Sequence, residues 1–369
     1  MARPFAALAR RASLALRLAE TWVHRPRTPT RLVLDVTRRC NLRCSICRTW
    51  EVPSAGEMNA SEILAIIDQL PRLCWLDVTG GEPFLRRDAE TLLPEIAVRG
   101  RALEVLHFPT NGWFTDRVLR TCAEIRSRRP EIDLIVTVSV DGPRELHDRI
   151  RGRQGAFDRA IATYRGLRSG GVKVYLGTTI SVDNHDCLGD LEVALKTAIP
   201  GFTRREWHYN WLQRSAHFFA NEGVSAPTPP EHLVHDHLRA RGLPRDMVEL
   251  MELVFLINRE FVDRGEGSGV PCQALRSAAF VSPEGDLYPC HVYDRALGNL
   301  RERSFAELWA DPKVLAARAD IQALACGGCF TPCEAYPALA GAPVAALRQT
   351  SRRLLKLCGE ALRGESEVP

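Results

Sequence analysis

A parallel α/β fold with a small cysteine-rich appendage is what this sequence predicts, and three features carry the prediction. Six short apolar, β-branched runs alternate with amphipathic stretches over about residues 30–215. Polar or glycine-containing punctuation falls at the C-terminal ends of the runs, the edge where parallel strands converge and such folds place their chemistry. Eight of the twelve cysteines fall in two groups, 40–47 and 272–333, as metal ligands would. Cys74, Cys122, Cys187 and Cys358 are scattered, as ordinary small apolar residues are.

The elements follow in order. Leu32–Val36 is the first strand and leads directly into the first cysteines. Ala60–Leu70 sets Ile63, Leu64, Ile66, Ile67 and Leu70 on one side of a helix. Trp75–Thr79 is a strand closed by Gly80-Gly81. A helix over about 87–99 leads to a strand at about 103–108, closed by Pro109-Thr110-Asn111-Gly112. After a further helix, Leu134–Val140 is a strand closed by Asp141-Gly142-Pro143. A helix over about 155–168 precedes the strand Val172–Ser181, and one over about 189–197 precedes a sixth strand near Glu206–Leu212. Right-handed crossovers join such strands into a parallel sheet, open or rolled into a barrel. Farther on, Phe280-Val281-Ser282 and Leu287-Tyr288 flank Pro283-Glu284-Gly285-Asp286 as a hairpin. Val344–Leu362 reads as a closing helix that packs Leu347, Leu354, Leu355 and Leu357 on the barrel. At the other end, Arg10, Arg11 and Arg17 interrupt the leucines of Phe5–Trp22, which excludes a signal peptide or membrane span. That stretch reads as a basic amphipathic helix packed on its own barrel, in preference to a membrane surface.

The domain divisions expected are 1–29 (helix and linker), 30–215 (core barrel), 216–268 (helical linker or substrate-facing insert), 269–335 (cysteine-rich domain) and 336–369 (C-terminal helix). A net charge of +4 over 369 residues, with both signs interspersed, gives no reason to expect a nucleic-acid partner. Free thiols in a long chain point to a reducing, cytoplasmic setting.

Cys40, Cys44 and Cys47 lie in Cys-Asn-Leu-Arg-Cys-Ser-Ile-Cys. Three thiolates from one tight loop hold three corners of an iron–sulfur cube and leave the fourth iron open. A closed electron-transfer site would add a fourth cysteine, and a structural zinc site a fourth ligand. The spacing Cys-x3-Cys-x2-Cys resembles that of the radical S-adenosylmethionine (SAM) superfamily, whose members place the amino and carboxylate groups of SAM on that iron. The resemblance implies a partial (β/α)6, TIM-like barrel over about residues 30–215, with a 4Fe-4S cluster on Cys40, Cys44 and Cys47 and SAM beside it. Gly80-Gly81-Glu82-Pro83 matches the motif that family members place against the SAM amino group, and glycines there let backbone carbonyls approach a ligand. Asn111 in Thr110-Asn111-Gly112, Ser139 with Asp141, and Thr179 with Ser181 end the next three strands with groups that bond a ribose or a carboxylate. The first two of these sets are common in the family. Arg151 offers a guanidinium fork to the SAM carboxylate.

The second cysteine set comprises Cys272, Cys290, Cys326, Cys329 and Cys333. The hairpin brings Cys272 and Cys290 to neighbouring strand ends, and the Cys-x2-Cys pair then completes a four-thiolate site, for iron–sulfur or for zinc. The arrangement resembles the SPASM and twitch extensions of radical SAM enzymes. Five cysteines, where a full SPASM pattern has about seven, favour one auxiliary 4Fe-4S cluster held by Cys272, Cys290, Cys326 and Cys329, with Cys333 a substitute or a spare thiol.

The resemblance implies an external one-electron donor of flavodoxin or ferredoxin type and reductive cleavage of SAM to a 5′-deoxyadenosyl radical. That radical takes a hydrogen atom from a small-molecule or peptide substrate, and the auxiliary cluster assists a net oxidation or a rearrangement. Trp207, His208, Tyr209, Trp211, His217, Phe218 and Phe219, at the start of the insert, are expected to face substrate or to fill core. About thirty residues before the first strand are short for a leader-recognition domain, which argues against peptide maturation unless a partner presents the peptide. The remaining alternative is a non-catalytic zinc protein on an α/β scaffold.

Overall fold

A computed structural model describes residues 16–17, 20–21, 24–225, 237, 240–323, 329 and 331–364. Six parallel strands form in the predicted order: β1 (Arg31–Asp35), β2 (Trp75–Thr79), β3 (Val105–Thr110), β4 (Asp133–Ser139), β5 (Lys173–Ile180) and β6 (Trp207–Trp211). Between them stand α1 (Ala60–Asp68), α2 (Ala89–Arg99), α3 (Thr115–Arg128), α4 (Arg144–Ile150), α5 (Ala156–Ser169) and α6 (Leu188–Ala198). The third strand starts two residues later than expected and takes in Pro109. Its pairing with β2 has already ended at His107, beyond which the missing N–H of proline interrupts no β2 ladder.

The predicted hairpin forms as β7 (Ala278–Val281) and β8 (Leu287–Tyr288), but it does not stand apart. β7 pairs parallel with β1, from Arg31↔Ala278 to Leu34↔Val281, so the sheet runs β6-β5-β4-β3-β2-β1-β7-β8. Every residue of β7 is buried, as a strand sandwiched inside a sheet requires. After α8 (Phe305–Trp309) and α9 (Pro312–Gln322), the chain returns in α10 (Pro332–Gly341) and α11 (Pro343–Gly364). These two helices pack with α7 (Met247–Asp263) across the open side of the curved sheet. Phe255 of α7 meets Trp211 of β6 edge-to-face at 6.0 Å, and Tyr336 of α10 meets Phe255 at 5.8 Å. Asn258 donates to Thr350 (3.0 Å), and the buried Arg353 donates to Asn258 Oδ1 (2.7 Å) and Gly267 O (2.5 Å).

Strand alternation divides the sheet cleanly. Leu32, Leu34, Leu76, Val78, Leu106, Phe108, Val136, Val138 and Leu176 point outward and are buried beneath the helices. Their neighbours point inward and line a hollow of about 700 Å³. Among the described residues no helix is long and apolar enough to cross a membrane. The basic helix expected over Phe5–Trp22 lies almost wholly outside the described residues.

Candidate active site

The loop of Cys40, Cys44 and Cys47 leaves the end of β1 and is pinned from three directions. Arg43 N and Ser45 N donate to Arg151 O (3.1 Å) and Ile150 O (2.9 Å) at the end of α4. Asn221 Nδ2 holds Ile46 O at 2.9 Å, and Trp50 Nε1 holds Cys47 O at 3.1 Å. Leu42, Cys44 and Ile46 pack on Leu146, Ile150 and Leu212 in a small apolar cluster of their own. All three thiols line the same cavity. Burial pushes Cys40 up to about 12 and Cys44 up to about 11, and raises Cys47 as well, so a metal's charge is needed to draw out the thiolates.

Gly80 and Gly81 line the cavity and carry the loop from below: Gly81 N donates to Thr37 O at 2.7 Å, and Glu82 N to Arg39 O at 2.9 Å. The wall also includes Asn111, Ser139, Thr179 and Arg151. Asn111 donates to Asn41 Oδ1 at 2.9 Å and lies 3.9 Å from Cys40 Sγ. Arg151 pairs with Asp141 at 2.6 Å, reaches Cys44 Sγ at 3.9 Å, and keeps a buried Nε without a partner. Three thiols, close glycine backbone and an orphaned guanidinium N–H on one wall fit an open-cornered cluster with an amino-acid-like ligand beside it.

Four of the expected contact residues lie behind this wall instead. The fully buried Glu82 carboxylate accepts from Phe84 N (3.2 Å), Thr110 Oγ1 (3.0 Å) and Asn111 N (2.8 Å), which spends it on bracing two strand ends. Burial nevertheless raises it to about 7. Pro83 opens a buried turn behind Glu82. Asp141 orients Arg151 and accepts from Thr179 N at 2.9 Å, and Ser181 N donates to Asn184 Oδ1 at 2.8 Å. Glu82 and Asp141 thus support groups in the wall from behind, and Pro83 and Ser181 lie outside the cavity lining.

The second cysteine set divides. Cys272 and Cys329 both lie close enough to Cys290 to act on it electrostatically, and Cys290 is raised far above its ordinary value by burial, with Glu334 adding to the effect. Cys326 lies outside the described residues. Cys333 lines the main cavity, next to Arg31 and Asp77. Among the described residues no three His, Cys, Asp or Glu side chains converge as a single metal ion requires.

Residues 215–221 clamp the two cysteine regions together. Arg48 N donates to Phe219 O (2.8 Å), Thr49 donates to Phe218 O, and Arg38 donates to His217 O while pairing with Glu284 of the hairpin turn at 3.0 Å. Of the aromatic run, His208, Tyr209, Trp211, Phe218 and Phe219 line the cavity. Trp207 is core, bonded to Thr178 at 2.8 Å, and His217 is structural, stacked on Tyr288 at 4.1 Å. The sequence reading missed Arg31, Asp77 and His107 on this wall. Their signal was present, a polar residue at alternate positions of otherwise apolar strands.

Known proteins match along the same lines. The model of the radical SAM superfamily matches residues 34–195, and that of the SPASM iron–sulfur cluster-binding domain matches residues 272–330. The chain is 28% identical over 316 residues to the Fe-coproporphyrin III synthase of Methanosarcina barkeri, covering 76% of this chain and 73% of that protein. It is 26% identical over 343 residues to the mycofactocin maturase MftC of Mycolicibacterium smegmatis, covering 86% and 80%. In structure it resembles SuiB of Streptococcus suis bound to S-adenosylmethionine, with a TM-score of 0.55 at 17% identity, covering 79% of this chain and 68% of that one.

Proposed function

Because the chain belongs to the radical SAM superfamily and ends in a SPASM-type iron–sulfur domain, we propose that Cys40, Cys44 and Cys47 hold its 4Fe-4S cluster and that the cavity beside them takes SAM and the substrate together. When bound, the cluster and SAM supply one-electron cleavage to methionine and a 5′-deoxyadenosyl radical that removes a hydrogen atom from the substrate. The chain's own part is positional. Gly80 and Gly81 present backbone to the SAM amino group, Arg151 Nε takes its carboxylate, and Asn111, Ser139 and Thr179 bond the remainder. Glu82 and Asp141 hold those groups in place from behind. The helices α7, α10 and α11 close the open side and keep water from the radical.

Cys272, Cys290 and Cys329, with Cys326, hold the auxiliary cluster in this reading, and an external flavodoxin- or ferredoxin-type protein supplies the electron. When bound there, such a cluster would supply a one-electron acceptor, and the net reaction would be an oxidation, as of an oxidoreductase, or a rearrangement. A peptide-modifying reaction with a partner protein is the second reading, supported by the similarity to a maturase. The observation that carries the proposal is that three cysteines of one loop and the strand-end groups of β2 to β5 line a single cavity.

Anaerobic reconstitution followed by iron and sulfide counting tests it. Cys40→Ala, Cys44→Ala and Cys47→Ala together are expected to remove about four irons and abolish 5′-deoxyadenosine formation with dithionite and SAM. Cys290→Ser is expected to lose about four irons while SAM cleavage persists. SAM cleavage that survives the triple substitution overturns the assignment.

A further inference from the structure

Below the strand ends proposed to face SAM, the inward positions form a polar belt with one residue from each of the six strands. Arg31 donates through Nε and Nη2 to Asp77 Oδ2 at 3.1 and 2.8 Å. Asp77 Oδ1 meets His107 Nδ1 at 2.9 Å, and His107 Nε2 meets Thr137 Oγ1 at 2.9 Å. Thr137 is in register with Tyr175, whose ring lies 4.1 Å from that of His208. On the open side Glu252 lies 3.8 Å from His208 Nδ1 and accepts from the Tyr336 hydroxyl. Cys333, one helical turn before Tyr336, shares the cavity wall with Arg31 and closes the circuit. In a complete barrel an interior layer at this depth is packed with branched aliphatic side chains. Here it is polar and surrounds space.

Two buried nitrogens of the belt lack a partner, His208 Nε2 and Arg31 Nη1, and of these the guanidinium N–H is a donor in every state. The Arg31 side chain is 2% exposed, and its Nη1 has no hydrogen-bond partner. An unsatisfied buried N–H is costly, so an acceptor from outside the chain completes the site. Charge decides which acceptor. Asp77 already neutralises Arg31; although burial pushes its carboxyl up, Arg31 and His107 hold it below its ordinary value. A carboxylate ligand would enter a buried site whose guanidinium already holds a carboxylate, that of Asp77. A neutral carbonyl oxygen takes the spare N–H without that cost.

We propose that Arg31 and Cys333 form a recognition subsite for an uncharged carbonyl group of the substrate, an amide above all, on the floor of the lumen. Arg31 begins β1 and the cysteine loop follows its end, so the subsite lies roughly 13 Å down the strand from that loop. The inference rests on the proposed function, which puts substrate in this cavity, and it makes Cys333 a substrate-facing thiol instead of an auxiliary-cluster ligand.

The test uses the reconstituted, SAM-loaded holoenzyme and two probes of one shape, 3-phenylpropanamide and 3-phenylpropanoate, titrated by calorimetry. The amide is expected to bind about tenfold more tightly or better, since the acid would set a second carboxylate beside Asp77 in a buried site. Arg31→Gln combined with Asp77→Asn removes both charges at nearly constant volume and is expected to cut that preference below about threefold. Arg31→Lys, which keeps the charge and loses the fork, is the second variant and is expected to weaken amide binding about tenfold. Cys333→Ser is expected to retain the wild-type iron content. The proposal is overturned by an acid that binds as well as the amide, by an amide that does not bind, by a preference that persists in the double variant, or by amide binding unchanged in Arg31→Lys. Loss of about four irons in Cys333→Ser overturns it too. Formation of 5′-deoxyadenosine by the same wild-type preparation reports separately on the radical SAM reading.

Discussion

At Gly81 an added Cβ would come within 2.4 Å of the Arg39 carbonyl oxygen and 2.6 Å of that of Arg38, and at Gly80 within 2.7 Å of the Thr37 oxygen. Backbone cannot yield there without moving the cysteine loop, so the glycine pair is a seat for that loop as well as a wall of the cavity. Gly81→Ala is therefore expected to cost about 1–3 kcal/mol and to lower iron incorporation on reconstitution, read by thermal melting and iron counting. Asp77 makes a different prediction. Its folded-state pKa lies below its unfolded value, so the Arg31 pair stabilises the fold above the ordinary carboxylate pKa, near 4, and is lost as pH falls through the lower folded value. Asp77→Asn is expected to be less stable at neutral pH, because Arg31 is left without its partner. It is also expected to show a flatter decline in Tm below about pH 4 than the wild type.

The strands and helices were legible because their outward faces obey simple periodicity. Ile63, Ile66 and Ile67 fall on the buried side of α1, and Leu32, Leu34, Leu76 and Val78 alternate under the helices as expected. The inward faces were harder to read, since a polar residue in a strand reads as solvent-facing until the curvature of the sheet is known. Arg31, Asp77 and His107 are polar for the opposite reason: they face an enclosed hollow. The placement of the hairpin was also out of reach, because Ala278–Val281 is too short to announce that it pairs with a strand about 245 residues earlier. A buried arginine ties two of the helices on the open side together. Arg353→Ala removes the bonds to Asn258 and Gly267 and is expected to destabilise the fold by about 2–4 kcal/mol in thermal or denaturant unfolding.

Over the whole molecule the two cysteine regions are mechanically one. Arg38, two residues before Cys40, pairs with Glu284 in the hairpin turn, and residues 217–219 bond to both sides. Metal bound at these sites stabilises the folded state alone, so chelator-treated protein is expected to melt at least about 5 °C below the reconstituted form, measured anaerobically by calorimetry. The sequence by itself determined the family chemistry. Three cysteines at fixed spacing, a glycine pair one strand later and a second cysteine set are local patterns, and local spacing is enough to define a ligand loop. Only the tertiary structure decided which residues meet the cavity. It set Glu82 and Asp141 behind the wall as braces, placed Cys333 in the lining of the lumen, and gathered Arg31, Asp77 and His107 from three strands. Which way a side chain faces is set by strand register and sheet curvature, and both are settled by contacts between residues far apart in the chain.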